Sequence, residues 1–293
     1  MVIDRLRDVF EVRDHPLTLV SQKQETREDF VVETLVFATR DGERVRGFVA
    51  RPAEPGPHPA LLYIHAHGAR YAIGADELLD GRRALLSPLG PEFARRGYVT
   101  LMIEMPAFCT RAEPSESARA KALLWEGRSL AGQMLGEQAA ALAWLAARGD
   151  VDPARIGVYG ISMGATLGYW LAAVDARISC AAHLCCYADY RALIAAGAHD
   201  LHGIYLTIPG LLPIAGNGEI AGLIAPRPQF IAIGDQDPLT PPEAVDIALA
   251  ETRAAYARAG AADRLLVHRE PETGHVETAP MRDAVLAFFS DNL

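Results

Sequence analysis

The sequence predicts an α/β protein whose mostly parallel sheet is covered by helices on both faces. Three observations carry that prediction. From residue 60 onward, short continuous apolar runs alternate with helix-length segments. One such run, Ile156 to Tyr159, turns directly into an alanine-rich segment across Gly160-Ile161-Ser162-Met163-Gly164. Between about Tyr187 and Ala225 the rhythm breaks, so an inserted lid or cap is expected between the strands near 184 and 229.

Taken in order, residues 1–30 read as an N-terminal arm, and two alternating segments, 31–38 and 44–50, flank Arg40-Asp41-Gly42-Glu43 as a hairpin. A proline-rich connector leads to the apolar strand 60–65, a long loop, a helix over 91–96 and a strand over 98–104. A long polar loop precedes a single helix over 119–148. Asp152-Pro153 is read as the turn before the next strand, which is followed by a helix over 165–174 and a strand over 178–184. Beyond the insertion, the strand Gln229–Gly234, the helix Pro242–Arg258, a strand over 264–269 and a helix over 276–289 complete the sheet. No internal repeat or low-complexity linker interrupts residues 31–293, which read as one catalytic domain with its insertion at about 187–225.

Composition narrows the partners. The chain has 293 residues, half of them hydrophobic, enough for a sizeable core. Its 28 basic and 37 acidic residues give a formal charge of −9 with no basic run, so neither nucleic acid nor an anionic membrane has an electrostatic footprint. Charges at Asp4, Arg5, Arg7 and Asp8 stand where a signal peptide needs its apolar stretch, and a cytoplasmic location is expected. Cys109, Cys180, Cys185 and Cys186 lack paired metal-type or disulfide-scaffold spacing and read as reduced thiols.

The chemistry begins at Ser162. A strand that reverses into a helix within one residue strains that residue, and glycines two places before and after remove the resulting clash. The Ser162 hydroxyl is then exposed above a helix N-terminus that favours negative charge. A serine hydroxyl needs a base, and the base an orienting carboxylate. The strand Phe230-Ile-Ala-Ile-Gly234 runs into Asp235-Gln236-Asp237, and Leu265-Leu-Val-His-Arg269 runs into a loop carrying Gly274-His275. Serine, aspartate and histidine thus follow one another in chain order, each just after the carboxyl end of a strand.

On these residues the stretch from about Arg44 to Phe289 resembles the α/β-hydrolase superfamily, in its dienelactone hydrolase and acetyl xylan esterase branch. The resemblance implies the α/β-hydrolase fold and a catalytic triad of Ser162, Asp237 and His275, with Asp235 as the alternative acid. It also implies an oxyanion hole made by the amides of Met163 and Ala69, the latter within His65-Ala-His67-Gly68-Ala69-Arg70, which is similar to the family's His-Gly-x motif. Gly68 would then give a substrate close backbone access. Dienelactone hydrolases use cysteine at the elbow; serine here implies an ordinary esterase.

The expected function is hydrolysis of short-chain acyl esters through an acyl-enzyme, with no cofactor and no metal. Alternatives are a peptidase of the prolyl-oligopeptidase type, a lactone or carbon–carbon hydrolase, an acyltransferase and, in a different class, a non-catalytic ligand receptor. Tyr71, His199, His202 and Tyr205 are candidate substrate contacts, and Leu201, Tyr205, Ile208, Leu211, Leu212 and Ile214 either line an apolar pocket or pack the lid. Trp125, Trp144 and Trp170 lie in predicted helices and are expected in the core. The expected partner is a small-molecule ester, and self-association into a homo-oligomer stays open.

Overall fold

A computed structural model describes residues 1–13 and 15–293. Its strands are β1 (Thr18–Arg27), β2 (Phe30–Ala38), β3 (Arg44–Pro52), β4 (His58–Ile64), β5 (Val99–Ile103), β6 (Val151–Ile161), β7 (Cys180–Leu184), β8 (Gln229–Gly234) and β9 (Leu265–Glu270). They form one sheet in the order β1-β2-β3-β5-β4-β6-β7-β8-β9. The first three strands, and the contact of β3 with β5, are antiparallel; from β5 through β9 every neighbouring pair is parallel.

The parallel strands are apolar on both faces because both are covered. In β4, Ala60, Leu62 and Ile64 face one core while Leu61 and Tyr63 face the other. The first core is closed by α1 (Val2–Val9), α5 (Leu130–Ala146), α6 (Met163–Val174) and α9 (Pro242–Arg258). The second is closed by α2 (Glu77–Asp80), α3 (Leu89–Arg95) and α10 (Ala279–Asn292). The first ten residues belong to that packing: Leu6 and Phe10 are fully buried, and Phe10 stacks on Trp170 with ring centroids 5.1 Å apart. β1 adds an edge strand whose ten residues are all exposed.

Several boundaries differ from the sequence expectation for local reasons. The single helix expected over 119–148 is two, α4 (Glu116–Trp125) and α5. Gly127 takes φ +75° between them, and Ser129 Oγ caps α5 by accepting the Gly132 N–H at 2.9 Å. Asp152-Pro153 lies inside β6, where the register with β4 shifts between His58 and Ala60. The last helix starts at Ala279 because Thr278 Oγ1 accepts the Met281 N–H, which leaves residues 275–277 in a loop.

The inserted segment contains α7 (Tyr190–Ala196), two short 3-10 turns (Ala198–Leu201 and Ile204–Leu206) and α8 (Asn217–Gly222). Tyr205, Ile208 and Leu211 are buried in the main core and Ile214 packs against it, so these residues fasten the segment to the body. Leu201 is exposed. Of the three tryptophans, Trp170 is buried and Trp144 packs edge-on against Phe37, but Trp125 ends α4 at 93% exposure, outside the core where it was expected. No helix among the described residues is long and apolar enough to cross a membrane.

Two histidines are built in neutral. His65 and His183 lie at or below 2% exposure, and burial pushes each down to about 3. In the unfolded chain a histidine titrates at about 6.5, so between those values the unfolded state binds protons that the folded state refuses. Stability therefore falls as pH drops through that window, by at most about 1.4 kcal/mol per pH unit for each histidine. The urea midpoint is expected to be lower at pH 5 than at pH 7.5, with a smaller difference in His65→Asn protein. Equal midpoints at the two pH values would contradict neutral burial.

Candidate active site

Ser162 joins β6 to α6 with φ +59° and ψ −124°, a sparsely populated conformation that costs an L-residue about 1–3 kcal/mol. Two features hold it there. Its N–H donates to Leu184 O at 2.9 Å, and the glycines at either side let the backbones close up. A Cβ on Gly164 would sit 1.9 Å from Ile64 O, and one on Gly160 would sit 2.3 Å from Gly164 C. The first turn of α6 thus lies directly on the end of β4. At the helix start, the Met163 N–H has no protein acceptor among the described residues. The Ser162 side chain is only narrowly accessible, at 7% exposure for the residue.

The loops after β8 and β9 are laced together. Asp235 N–H donates to Glu270 O and Gln236 N–H to Thr273 O, both at 2.9 Å. Within this lacing Asp237 is buried; its Oδ2 accepts from His275 Nδ1 at 2.5 Å and its Oδ1 from the Leu239 N–H at 2.9 Å. Asp235 instead pairs with Arg269, so of the two aspartates it is Asp237 that meets the imidazole. With the proton on Nδ1, the Nε2 lone pair of neutral His275 is free to accept a proton. The residue after His275 reaches back toward the elbow, since Val276 O accepts from Cys185 Sγ at 3.6 Å and Cys185 follows Leu184. Ser162 Oγ makes no hydrogen bond to His275, so two of the three predicted side chains are joined directly and the third stands at the end of β6, with β7 between it and β8.

The loop after β4 begins beside the elbow, because Ile64 pairs with Gly160. Adjacent β4 and β6 send their connections to opposite sides of the sheet, the switch point at which open α/β sheets bind ligands. The Ala66 N–H donates to Glu77 Oε2 at 2.9 Å, the Ala69 N–H to His67 Nδ1 at 3.0 Å, and the Arg70 N–H to His67 O at 3.0 Å. The amide of Ala69, expected as an oxyanion donor, is therefore committed to His67, and among the described residues the loop amides without a protein acceptor are those of His65, which is buried, His67 and Gly68. His65 is a clamp: its Nε2 accepts the Met105 N–H at 3.1 Å and its Nδ1 donates to Ala66 O at 3.0 Å.

The inserted segment crosses this rim. His202 Nε2 donates to Leu239 O at 2.9 Å, on the same turn that binds Asp237, and burial lowers its pKa. Three residues on, Tyr205 is stacked on the His67 ring. Tyr71 is partly exposed and bonded through its hydroxyl to Glu116, while His199 and Gly68 are exposed. Sequence reasoning passed over Glu116, which lies in what reads as a polar loop. It also passed over two buried ion pairs: Glu77–Arg82, which holds the backbone of residues 66 and 67, and Glu277–Arg282, which ties the His275 loop to Leu86 and Ser87. These groups are set by tertiary contact and carry no local sequence signal.

The comparisons with known proteins bear on the family and on the fold. Residues 45–187 match the model of the dienelactone hydrolase family. YtaP of Bacillus subtilis (strain 168), assigned as a hydrolase, is 37% identical over 275 residues, 93% of this chain and 92% of its own. A Bacteroides fragilis protein assigned as an acetyl xylan esterase superposes with a TM-score of 0.79 at 18% identity, covering all of this chain and 86% of its own. An acetyl xylan esterase from Paenibacillus sp. R4 gives 0.69 at 20% identity, over 99% of this chain and 93% of its own. These structural likenesses show the α/β-hydrolase fold.

A test of the elbow packing is Gly164→Ala. The added methyl group has backbone carbonyls rather than a pliant side chain to displace, so a loss of more than about 3 kcal/mol in unfolding free energy is expected. A melting temperature within about 2 °C of the parent protein would contradict the close approach.

Proposed function

Because this chain belongs to the dienelactone hydrolase family, we propose that it is a serine esterase that cleaves short-chain acyl esters through an acyl-enzyme. The observation that carries this reading is the bond from His275 Nδ1 to the buried Asp237 carboxylate, taken together with the positive-φ serine at the start of α6. In the proposed cycle, His275 Nε2 takes the Ser162 hydroxyl proton as Oγ attacks the ester carbonyl. Asp237 keeps the proton on Nδ1 and stabilises the imidazolium. Apo active sites commonly hold the serine–histidine contact long and tighten it with substrate.

The negative charge that develops on the carbonyl oxygen is received by the Met163 N–H and by an amide of the 65–70 loop. Each such donor is worth about 3 kcal/mol in comparable acyl transfers. The free amides of His67 and Gly68 supply the second donor without rearrangement, whereas Ala69 would first have to leave His67. Collapse of the tetrahedral species breaks the ester C–O bond, and His275 gives its proton to the leaving alkoxide. Water then attacks the acyl carbon, its proton passing to His275, and the acid leaves as Ser162 Oγ is reprotonated. His275, Asp237, Ser162 and the amides suffice for these steps.

Two features support a small acyl group. Ser162 is barely accessible, and only Gly203 and Ile204 span the rim between the anchor at His202 and the one at Tyr205, a distance of at most about 11 Å for an extended chain. The acetyl xylan esterases similar in fold act, by their names, on acetyl esters.

Ser162→Ala is expected to abolish turnover of p-nitrophenyl acetate in folded protein, and retained turnover would remove the serine as nucleophile. Asp237→Asn is expected to lower kcat by several orders of magnitude and Asp235→Asn by less than threefold; the reverse order would exchange their roles. Across p-nitrophenyl acetate, butyrate and octanoate, kcat/KM is expected to fall with length, and a rise toward octanoate would refute the short-chain reading.

A further inference from the structure

His67 sits where the β4 loop, the inserted segment and α4 meet, and both of its ring nitrogens are used. Because Nδ1 accepts the Ala69 N–H at 3.0 Å, the ring proton of neutral His67 lies on Nε2, which donates to Glu116 Oε2 at 2.8 Å. The ring stacks on Tyr205, with centroids 4.9 Å apart and planes 20° from parallel, and meets Tyr71 and Phe108 edge-on at 5.2 and 5.5 Å. These contacts and the two hydrogen bonds hold the imidazole in this orientation.

Glu116 is a buried carboxylate that collects three donors from two segments. It accepts from His67, from the Tyr71 hydroxyl, and from the Tyr205 N–H at 3.2 Å. Burial alone would raise its pKa, but the hydrogen bonds from His67 and Tyr71 outweigh that and hold the carboxyl below its ordinary value. Desolvating a carboxylate costs several kcal/mol unless its lone pairs are matched, as they are here. What this arrangement secures is a strained turn: Gly68 and Ala69 both take positive φ, +55° and +52°, and the alanine does so at a cost that the bond to His67 offsets.

We propose that His67 and Glu116 are positioning residues for the oxyanion loop, Glu116 holding the His67 proton on Nε2 so that Nδ1 pins Ala69 and presets the adjoining amides. The proposal rests on the reading that Ser162 attacks a carbonyl. If the proton moved to Nδ1, an N–H would face the Ala69 N–H and the loop would be pushed off its geometry. Donors that must be reorganised during the reaction lose most of their value, so the effect falls on the transition state rather than on substrate binding. Tyr205 contributes its ring and its amide to the same two residues, which makes the inserted segment part of the support for the loop.

The test compares His67→Ala, His67→Asn and Glu116→Gln with the parent protein on p-nitrophenyl acetate, with kcat and KM resolved separately and thermal unfolding recorded alongside. Asparagine is the diagnostic replacement, because its Oδ1 stands where Nδ1 stands in histidine and can accept the Ala69 N–H. His67→Ala is expected to lower kcat by 10- to 100-fold with KM within threefold, His67→Asn to recover at least a third of the parent kcat, and Glu116→Gln to lose at least fivefold in kcat. Parent-like kcat in His67→Ala or Glu116→Gln would overturn the proposal. So would an asparagine variant no better than alanine, which would mark a purely structural role. Should the alanine variant fail to fold, the asparagine and glutamine variants decide by the same thresholds. Turnover that survives Ser162→Ala would instead sink the underlying reading, a separate failure.

Discussion

The approach of the first turn of α6 to the end of β4 is the constraint on which the site depends. Glycine at 160 and 164 lets backbone meet backbone where a single methyl group would overlap Ile64 O, and this contact fixes two things at once. It sets Ser162 in its positive-φ turn with an unpaired amide directly behind it, and it places the 65–70 loop against the same helix terminus. The serine and the unpaired amides around it are thus products of one close packing, and the cost of the strained residue is spread over the core beneath it.

Around that contact, buried ion pairs tie together loops from distant parts of the chain. Glu77 and Arg82 hold the backbone after β4, while Glu277 and Arg282 fasten the segment just beyond His275 to Leu86 and Ser87. The two pairs share the stretch between residues 77 and 88, so the loop bearing the free amides and the loop bearing the imidazole are braced from the same side. A buried pair of this kind is weak evidence for extra stability, since desolvation consumes most of its Coulomb energy. Its value here is geometric: removal of one partner leaves a charge that the site cannot leave unmatched.

The fold was legible in the sequence from β2 onward, because the β2–β3 hairpin shows as alternation about Asp41-Gly42 and covered parallel strands are written as continuous apolar runs, and neither needs tertiary information to be seen. The elbow was legible for the same reason, as Gly160 and Gly164 flank a serine between a strand and an alanine-rich helix. Less legible were the break at Gly127, hidden within a long helix-forming stretch, and the core role of Leu6 and Phe10 in a segment that reads as a polar arm. The Ala69 amide shows the limit most clearly. A motif can mark a loop, but which of its amides is free depends on the His67 ring, whose orientation is set by Glu116 and Tyr205 from elsewhere in the chain.

The central claim, that Ser162 is the activated nucleophile of this arrangement, is tested most directly by treating the folded protein with a fluorophosphonate and locating the adduct by peptide mass spectrometry. A single adduct on the peptide that contains Ser162, formed far more slowly when His275 is replaced by alanine, is the predicted result. An adduct on another residue, or labelling at Ser162 that is indifferent to His275, would contradict it.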